Sequence, residues 1–356
     1  MGIPLRQALR VGLYILSQRA RGIERFPLVL MLEPLFRCNL ACPGCGKIQY
    51  PGEILRQNLS VADCCAAAEE CGAPIVSIAG GEPLLHPEID ALVAGLEGQR
   101  RYIYLCTNAL VLRKHLDRFR PSRWLTFNVH MDGLEARHDA AVDRPGTFQE
   151  AVAAIQAAKQ RGFRVTTNST IFSGEDPAHV RGMLDYLTDL GVDGCTISPG
   201  YAYEKAPDQE HFPARVATRE LFAKILDGRR RWPLSHSRQY LEFLQGSRDY
   251  QCTPWGNPCR NVFGWQRPCY LFADGPDGYA ASFRELMDDT DWDRYGTGRH
   301  EKCANCMAHC GYEASAAMDA TDGLATVFKG VRRALGRAND TRPKHWVPRA
   351  PEVARG

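Results

Sequence analysis

The 356-residue sequence predicts an α/β fold, a partial (β/α)6 barrel with a Cys-rich carboxyl-terminal extension. Three observations carry that expectation. Six short β-branched runs alternate with stretches of helical periodicity, the alternation stops near Gly200, and the composition then turns to Trp, Pro, Gly and Cys. The chain is long enough for one large domain with a smaller appended module, and its 44% hydrophobic residues cover a substantial core.

Residues 1–27 come first. They lack both an apolar run of about 18 residues and a small-residue cleavage site, so they read as neither a spanning helix nor a signal peptide. Leu5, Leu9, Leu13 and Leu16 recur at helical spacing beside Arg6, Arg10, Arg19, Arg21 and Arg25. Such a helix suits a membrane surface or a packing face on the main domain equally well.

The barrel is expected over residues 28–200, with strands in "LVLMLEP", "PIVSIAG", "YIYLC", "WLTFNVH", "FRVTTNST" and "VDGCTISP". Helices fit between them at 60–71, 87–96, 111–119, 147–161 and 178–190, where apolar residues stand three or four apart. Ser60 with Asp63 makes a capping box at the first of these. Alternation of this kind implies right-handed crossovers and a parallel sheet, whose function gathers at the carboxyl ends of its strands. Residues 201–320 form the Cys-rich module and 321–356 a basic, Pro-rich tail expected to be partly disordered.

A formal charge of +3, from 44 basic and 41 acidic residues, is too balanced for a nucleic-acid footprint. Fourteen cysteines in a long chain with no export signal indicate a reducing compartment. The expected location is cytoplasmic, with peripheral contact at the inner face of the cytoplasmic membrane through the amino-terminal helix.

The chemistry starts at "EPLFRCNLACPGCGK", where Cys38, Cys42 and Cys45 stand in a C-x3-C-x2-C pattern just after the first strand. Close thiolates bind zinc or iron-sulfur clusters, and structural zinc normally takes four ligands. Three thiols on a 4Fe-4S cluster leave one iron free to take an exogenous chelate. The motif resembles the radical S-adenosylmethionine superfamily, whose loop sits at this place in its barrel. "AGGEP" strengthens the likeness. Gly80, Gly81, Glu82 and Pro83 end the second strand, where the superfamily uses such a turn to hold the methionine amino group. The resemblance also implies cofactor contacts from Thr107 and Asn108, from His130 and Asp132, and from Asn168 and Thr170, which end the third to fifth strands. One departure stands out: the superfamily usually has an aromatic residue before the third cysteine, where this chain has Gly44.

A second thiol set, Cys303, Cys306 and Cys310, has Cys269 upstream as a fourth ligand, His309 as a substitute, and Cys252 and Cys259 as spares. It resembles the auxiliary-cluster extensions of some radical enzymes, and zinc satisfies the same ligand count, so either an iron-sulfur cluster or zinc is expected. Cys64, Cys65, Cys71 and Cys195 read as small core hydrophobes. Cys106 ends the third strand, near the mouth, and a thiol S–H is weaker than an alkyl C–H. It is therefore a candidate hydrogen-atom donor, with a buried packing role as its alternative.

Longer stretches, among them "YLCTNALVL", "SPGYAYEKAPDQEHF" and "EKCANCMAHCGYEASAAMD", resemble the adenosyl-hopene transferase family of bacterial hopanoid biosynthesis, which shares the glycine at position 44. That resemblance implies consumption of S-adenosylmethionine as cosubstrate. It also implies addition of a 5'-deoxyadenosyl radical to the terminal alkene of diploptene, and a low-potential donor such as flavodoxin or ferredoxin. Phe212, Trp255, Phe263, Trp265 and Tyr270 are candidates for an apolar pocket, and Tyr201, Tyr203 and Glu204 for its entrance. Two other readings fit the cysteines: a radical peptide- or carbon-skeleton-modifying enzyme with an auxiliary cluster, and a zinc-stabilised interaction protein.

Overall fold

A computed structural model describes residues 2–228, 232–272 and 278–321. The expected tail, from residue 322 onward, lies outside the described residues. Six parallel strands, β1 (Val29–Glu33), β2 (Ile75–Ile78), β3 (Tyr102–Thr107), β4 (Leu125–His130), β5 (Arg164–Ile171) and β6 (Gly194–Pro199), lie side by side in chain order. The partial barrel is as the alternation predicts.

Each strand has one apolar outer face and one mixed inner face, the consequence of the period-two alternation of side chains. Outward, Leu30, Val76, Ile103, Phe127 and Val165 are fully buried against the crossover helices. At about 1.5–3 kcal/mol for each buried aliphatic or aromatic side chain, this face stabilises the barrel. The helices start where local chemistry directs. Ser60 Oγ accepts from Asp63 N at 3.1 Å to begin Val61–Cys71, and Gly72, at φ 71°, ends it. The crossover expected at 111–119 is shorter: Leu112–His115 is helical, and Leu116–Arg118 tightens into a 3-10 turn before Pro121.

Beyond β6 the chain returns to the same sheet. Strand β7 (Cys259–Asn261) pairs parallel with β1, and β8 (Gly264–Gln266) and β9 (Tyr279–Ala280) continue antiparallel, giving the order β6-β5-β4-β3-β2-β1-β7-β8-β9. The Cys-rich segment thereby covers the edge that an open barrel would expose at β1.

The amino-terminal helix Leu5–Ala20 lies across the opposite end, the floor of the barrel. Gln7 Nε2 donates to Tyr104 Oη at 2.9 Å, and Tyr104 is an inward residue of β3. The guanidinium of Arg10 stacks over Trp124 at 5.3 Å. Gln7, Ile15 and Gln18 face the protein, while Leu5, Leu9 and Leu13 are 71%, 57% and 67% exposed. The helix thus packs on the domain and also presents an apolar stripe outward.

Candidate functional site

The first thiol loop follows the carboxyl end of β1, and Cys38, Cys42 and Cys45 are all partly exposed there. Cys45 N donates to Cys42 O at 3.0 Å, which closes the loop on itself. Cys38 Sγ accepts from Leu40 N at 3.4 Å and from Asn108 Nδ2 at 3.7 Å. Burial pushes the Cys38 thiol up to about 11 and the Cys42 thiol up to about 12, and it raises Cys45 as well. Thiolates here therefore need a cationic partner, and a thiolate ligated to iron accepts N–H bonds of the kind Cys38 already receives. The loop fits a cluster held by three thiols.

The turn at 80–83 is fitted against this loop. Gly81 N donates to Leu35 O and Glu82 N to Arg37 O, each at 3.0 Å. A methyl group on Gly81 would collide with the carbonyl oxygens of Phe36 and Arg37, and Gly80 adopts φ 107°, where a side chain is strained. Glycines are needed because two backbones touch. Glu82 is buried, and its carboxylate accepts from Leu84 N (3.1 Å), Thr107 Oγ1 (2.8 Å) and Asn108 N (2.8 Å). Burial outweighs these donors and pushes its carboxyl up to about 7. Glu82 thus ties the end of β3 to the turn, and Asn108 passes the tie to the thiol loop through Asn39 Oδ1 at 2.7 Å.

Inside the barrel a polar ladder crosses four strands. Ser77 Oγ lies 3.5 Å from Cys106 Sγ, Asn128 Nδ2 donates to the same sulfur at 3.6 Å, and Thr166 Oγ1 donates to Asn128 Oδ1 at 2.9 Å. Burial raises the Cys106 thiol, so it stays protonated. Sequence reasoning found Cys106 and missed Ser77, Asn128 and Thr166; their signal was polar residues at the alternate, inward positions of successive strands.

At the ends of β4 and β5, His130 Nε2 meets Asp132 Oδ2 at 2.7 Å, and Asp132 Oδ1 accepts from Thr170 N at 2.7 Å. Burial lowers the His130 imidazole, but the charge and the hydrogen bond of Asp132 together outweigh it and the net shift is upward. Asn168 is paired in register with His130. A missed partner, His138, accepts from Asp132 N at 3.2 Å and is pushed down to about 4 by burial beside His130.

The ring missing at position 44 comes from elsewhere. Phe172, just past β5, packs so closely that a Cβ on Gly44 would lie 3.1 Å from its ring. Another unforeseen feature is the buried pair Lys47–Glu33, at 2.7 Å, with the ammonium 5.0 Å from the Tyr203 ring.

The second thiol set comes together, with changes. Cys269, Cys303, Cys306 and Cys310 line one cavity of about 420 Å³, and Cys252, expected only as a spare, lines it with them. His309 is not part of it, since its Nδ1 bonds Ser198 Oγ at 2.9 Å. Cys259 lies in a neighbouring cluster with Met31, Tyr203 and Tyr270. The aromatic residues expected to share a pocket are dispersed: Phe212 and Tyr201 line this cavity, Trp265 is buried against Phe283, and Trp255 packs on Trp292.

Residues 32–187 match the family model of the radical SAM superfamily, and residues 195–329 match a domain of unknown function, DUF3463. Pre-heme d1 synthase of Dinoroseobacter shibae is 28% identical over 204 residues, which cover 54% of this chain and 49% of that protein. GTP 3',8-cyclase of Listeria welshimeri is 28% identical over 163 residues, 44% of this chain and 49% of that one. The chain spans about half the length of these curated relatives. Streptococcus suis SuiB bound to its precursor peptide SuiA shares the fold at TM-score 0.65 and 16% identity, over 82% of this chain and 72% of that one. The same protein bound to S-adenosylmethionine aligns at TM-score 0.58 and 16% identity over 70% and 61% of the two chains. Residues 32–187 are accordingly similar to the radical S-adenosylmethionine superfamily, whose cofactor set is a 4Fe-4S cluster and S-adenosylmethionine.

Proposed function

We propose that this enzyme transfers the 5'-deoxyadenosyl group of S-adenosylmethionine to the terminal alkene of a hydrophobic triterpene, diploptene. The observation that carries the reading is Cys106, a neutral thiol held inside the barrel by the uncharged partners Ser77 and Asn128. The sequence likeness to adenosyl-hopene transferases supplies the substrate class.

Cys38, Cys42 and Cys45 would hold the cluster, and the backbone of Gly80 and Gly81, set by the buried Glu82 and by Pro83, would receive the methionine end. Asn108, His130, Asp132 and Asn168 line the strand ends where ribose and carboxylate would rest. When bound, the cluster supplies the electron that cleaves S-adenosylmethionine to methionine and a 5'-deoxyadenosyl radical. Addition forms one carbon–carbon bond and leaves a tertiary carbon radical on the hydrocarbon. Cys106 then gives up its hydrogen atom, and the resulting thiyl takes one electron and one proton to return to the thiol. Each turnover thus consumes two electrons from a low-potential donor of the flavodoxin or ferredoxin kind.

The exposed stripe of Leu5, Leu9 and Leu13, in a segment with no acidic residue before Glu24, supports contact with an anionic membrane where such a substrate dissolves. Among the described residues no helix is long and apolar enough to cross a membrane.

The test is an anaerobic assay of reconstituted protein with S-adenosylmethionine, reductant and diploptene, read by mass spectrometry. An adenosylated hydrocarbon is expected, and Cys106→Ala should cleave S-adenosylmethionine yet lose the saturated adduct. Free 5'-deoxyadenosine without adduct would replace this reading with a radical peptide- or carbon-skeleton-modifying one.

A further inference from the structure

The inner face of the barrel carries a row of polar side chains in register. Cys106 on β3 stands opposite Asn128 on β4, and Asn128 opposite Thr166 on β5. Thr166 in turn stands opposite Gly194 on β6, where a Cβ would lie 3.1 Å from the Thr166 methyl group. The row therefore ends on a glycine against which that methyl packs, and a β-branched side chain so packed keeps one χ1 rotamer. Its hydroxyl is left facing β4.

Direction then passes along the row. Thr166 Oγ1 donates to Asn128 Oδ1 at 2.9 Å, and the amide presents its Nδ2 to Cys106 Sγ, 3.6 Å away. An amide nitrogen only donates, so the sulfur accepts on this side and its own hydrogen is excluded from it. Two acceptors remain within reach of that hydrogen, Ser77 Oγ at 3.5 Å and Tyr104 O at 3.9 Å. Both contacts are long and an S–H is a weak donor, so neither holds the hydrogen firmly. Ser77 can also turn and donate to the sulfur, which releases the hydrogen altogether.

We propose that Thr166 and Asn128 are positioning residues that keep the thiol hydrogen of Cys106 off the β4 flank and free to transfer. This rests on the reading of Cys106 as the hydrogen-atom donor. In the transfer the S–H bond breaks homolytically as a C–H bond forms on the substrate radical, so a hydrogen atom moves and no charge does. A hydrogen bound firmly to a neighbour would first have to leave it. Here the sulfur is fixed by a bond that it receives, and its hydrogen by none of comparable strength.

The test compares Asn128→Asp, Thr166→Val and Thr166→Ser in the full chain. Asn128→Asp keeps the shape of the side chain but offers the thiol an acceptor in place of a donor. The first readout needs no substrate: it is the infrared S–H stretching band of Cys106, identified as the band absent from Cys106→Ala. In alkaline buffer, where the new carboxyl is ionised, Asn128→Asp should move this band to lower frequency, because the hydrogen then binds a carboxylate. An unmoved band overturns the proposal. The second readout is the saturated adduct carrying solvent deuterium, formed in heavy water, per S-adenosylmethionine cleaved. Thr166→Val should lower this ratio on the order of tenfold, and Thr166→Ser, which keeps the hydroxyl, much less. A purely structural role would lower cleavage and adduct together, so an unchanged ratio in Thr166→Val overturns the positioning role. A parent that cleaves S-adenosylmethionine and forms no deuterated adduct refutes Cys106 as the donor instead, and the infrared band still decides where its hydrogen points.

Discussion

The two thiol groups of this enzyme are built in opposite ways. The first takes Cys38, Cys42 and Cys45 from one loop, at the mouth of the barrel, and leaves them partly exposed. The second draws on cysteines as far apart as positions 252 and 310 and brings them together around a cavity. A site made by one loop is local chemistry that the fold only has to place. A site gathered from distant segments exists only once the fold is complete, and its integrity reports on that fold.

The largest effect expected of this contrast is at the first group. Cys42→Ala should abolish S-adenosylmethionine cleavage and lower the iron content, while leaving the unfolding midpoint close to that of the parent, because a partly exposed loop thiol packs less than a core side chain. Loss of cleavage together with a large drop in the midpoint would erase the distinction.

Next is the acid that ties the first site to β3. Folded Glu82 has a carboxyl near 7 against an ordinary value of 4.5. Below the lower value both states hold the proton; between the two, the folded state keeps a proton that the unfolded state has released. Stability therefore falls as pH rises through this window, by on the order of 3 kcal/mol for this group alone. Denaturant unfolding at about pH 5 and about pH 8 should show that slope in the parent and a smaller one in Glu82→Gln.

Gly81→Ala forces a methyl group against two carbonyls of the thiol loop and should cost about 1–3 kcal/mol. It should also weaken iron retention by the first group only, as iron counts in single-site backgrounds would reveal. The smallest effect is expected at Ser60→Ala, which removes a helix cap remote from both groups. About 1 kcal/mol of stability should go, with metal content unchanged.

Much of this was legible in the sequence, for reasons the same contrast explains. Short apolar runs alternating with stretches of helical period announced β1 to β6, and Cys38, Cys42 and Cys45 were visible because their spacing is short. The fifth thiol at the cavity was not. Cys252 reaches Cys310 through hydrogen bonds from Thr253 to Gly311, a contact across 58 residues that no spacing rule contains. The partners of Cys106 were hidden for a related reason: Ser77, Asn128 and Thr166 meet only when three crossovers set the register. Lys47 and Glu33 stand 14 residues apart, and only the fold buries them together as an ion pair.

The helix on the barrel floor has a geometric consequence. With Gln7 bonded to Tyr104 from below, the amino-terminal helix covers the floor on the side of β3 that also carries Cys106, so the proposed substrate would approach that thiol from the mouth, past the loops at the carboxyl ends of the strands.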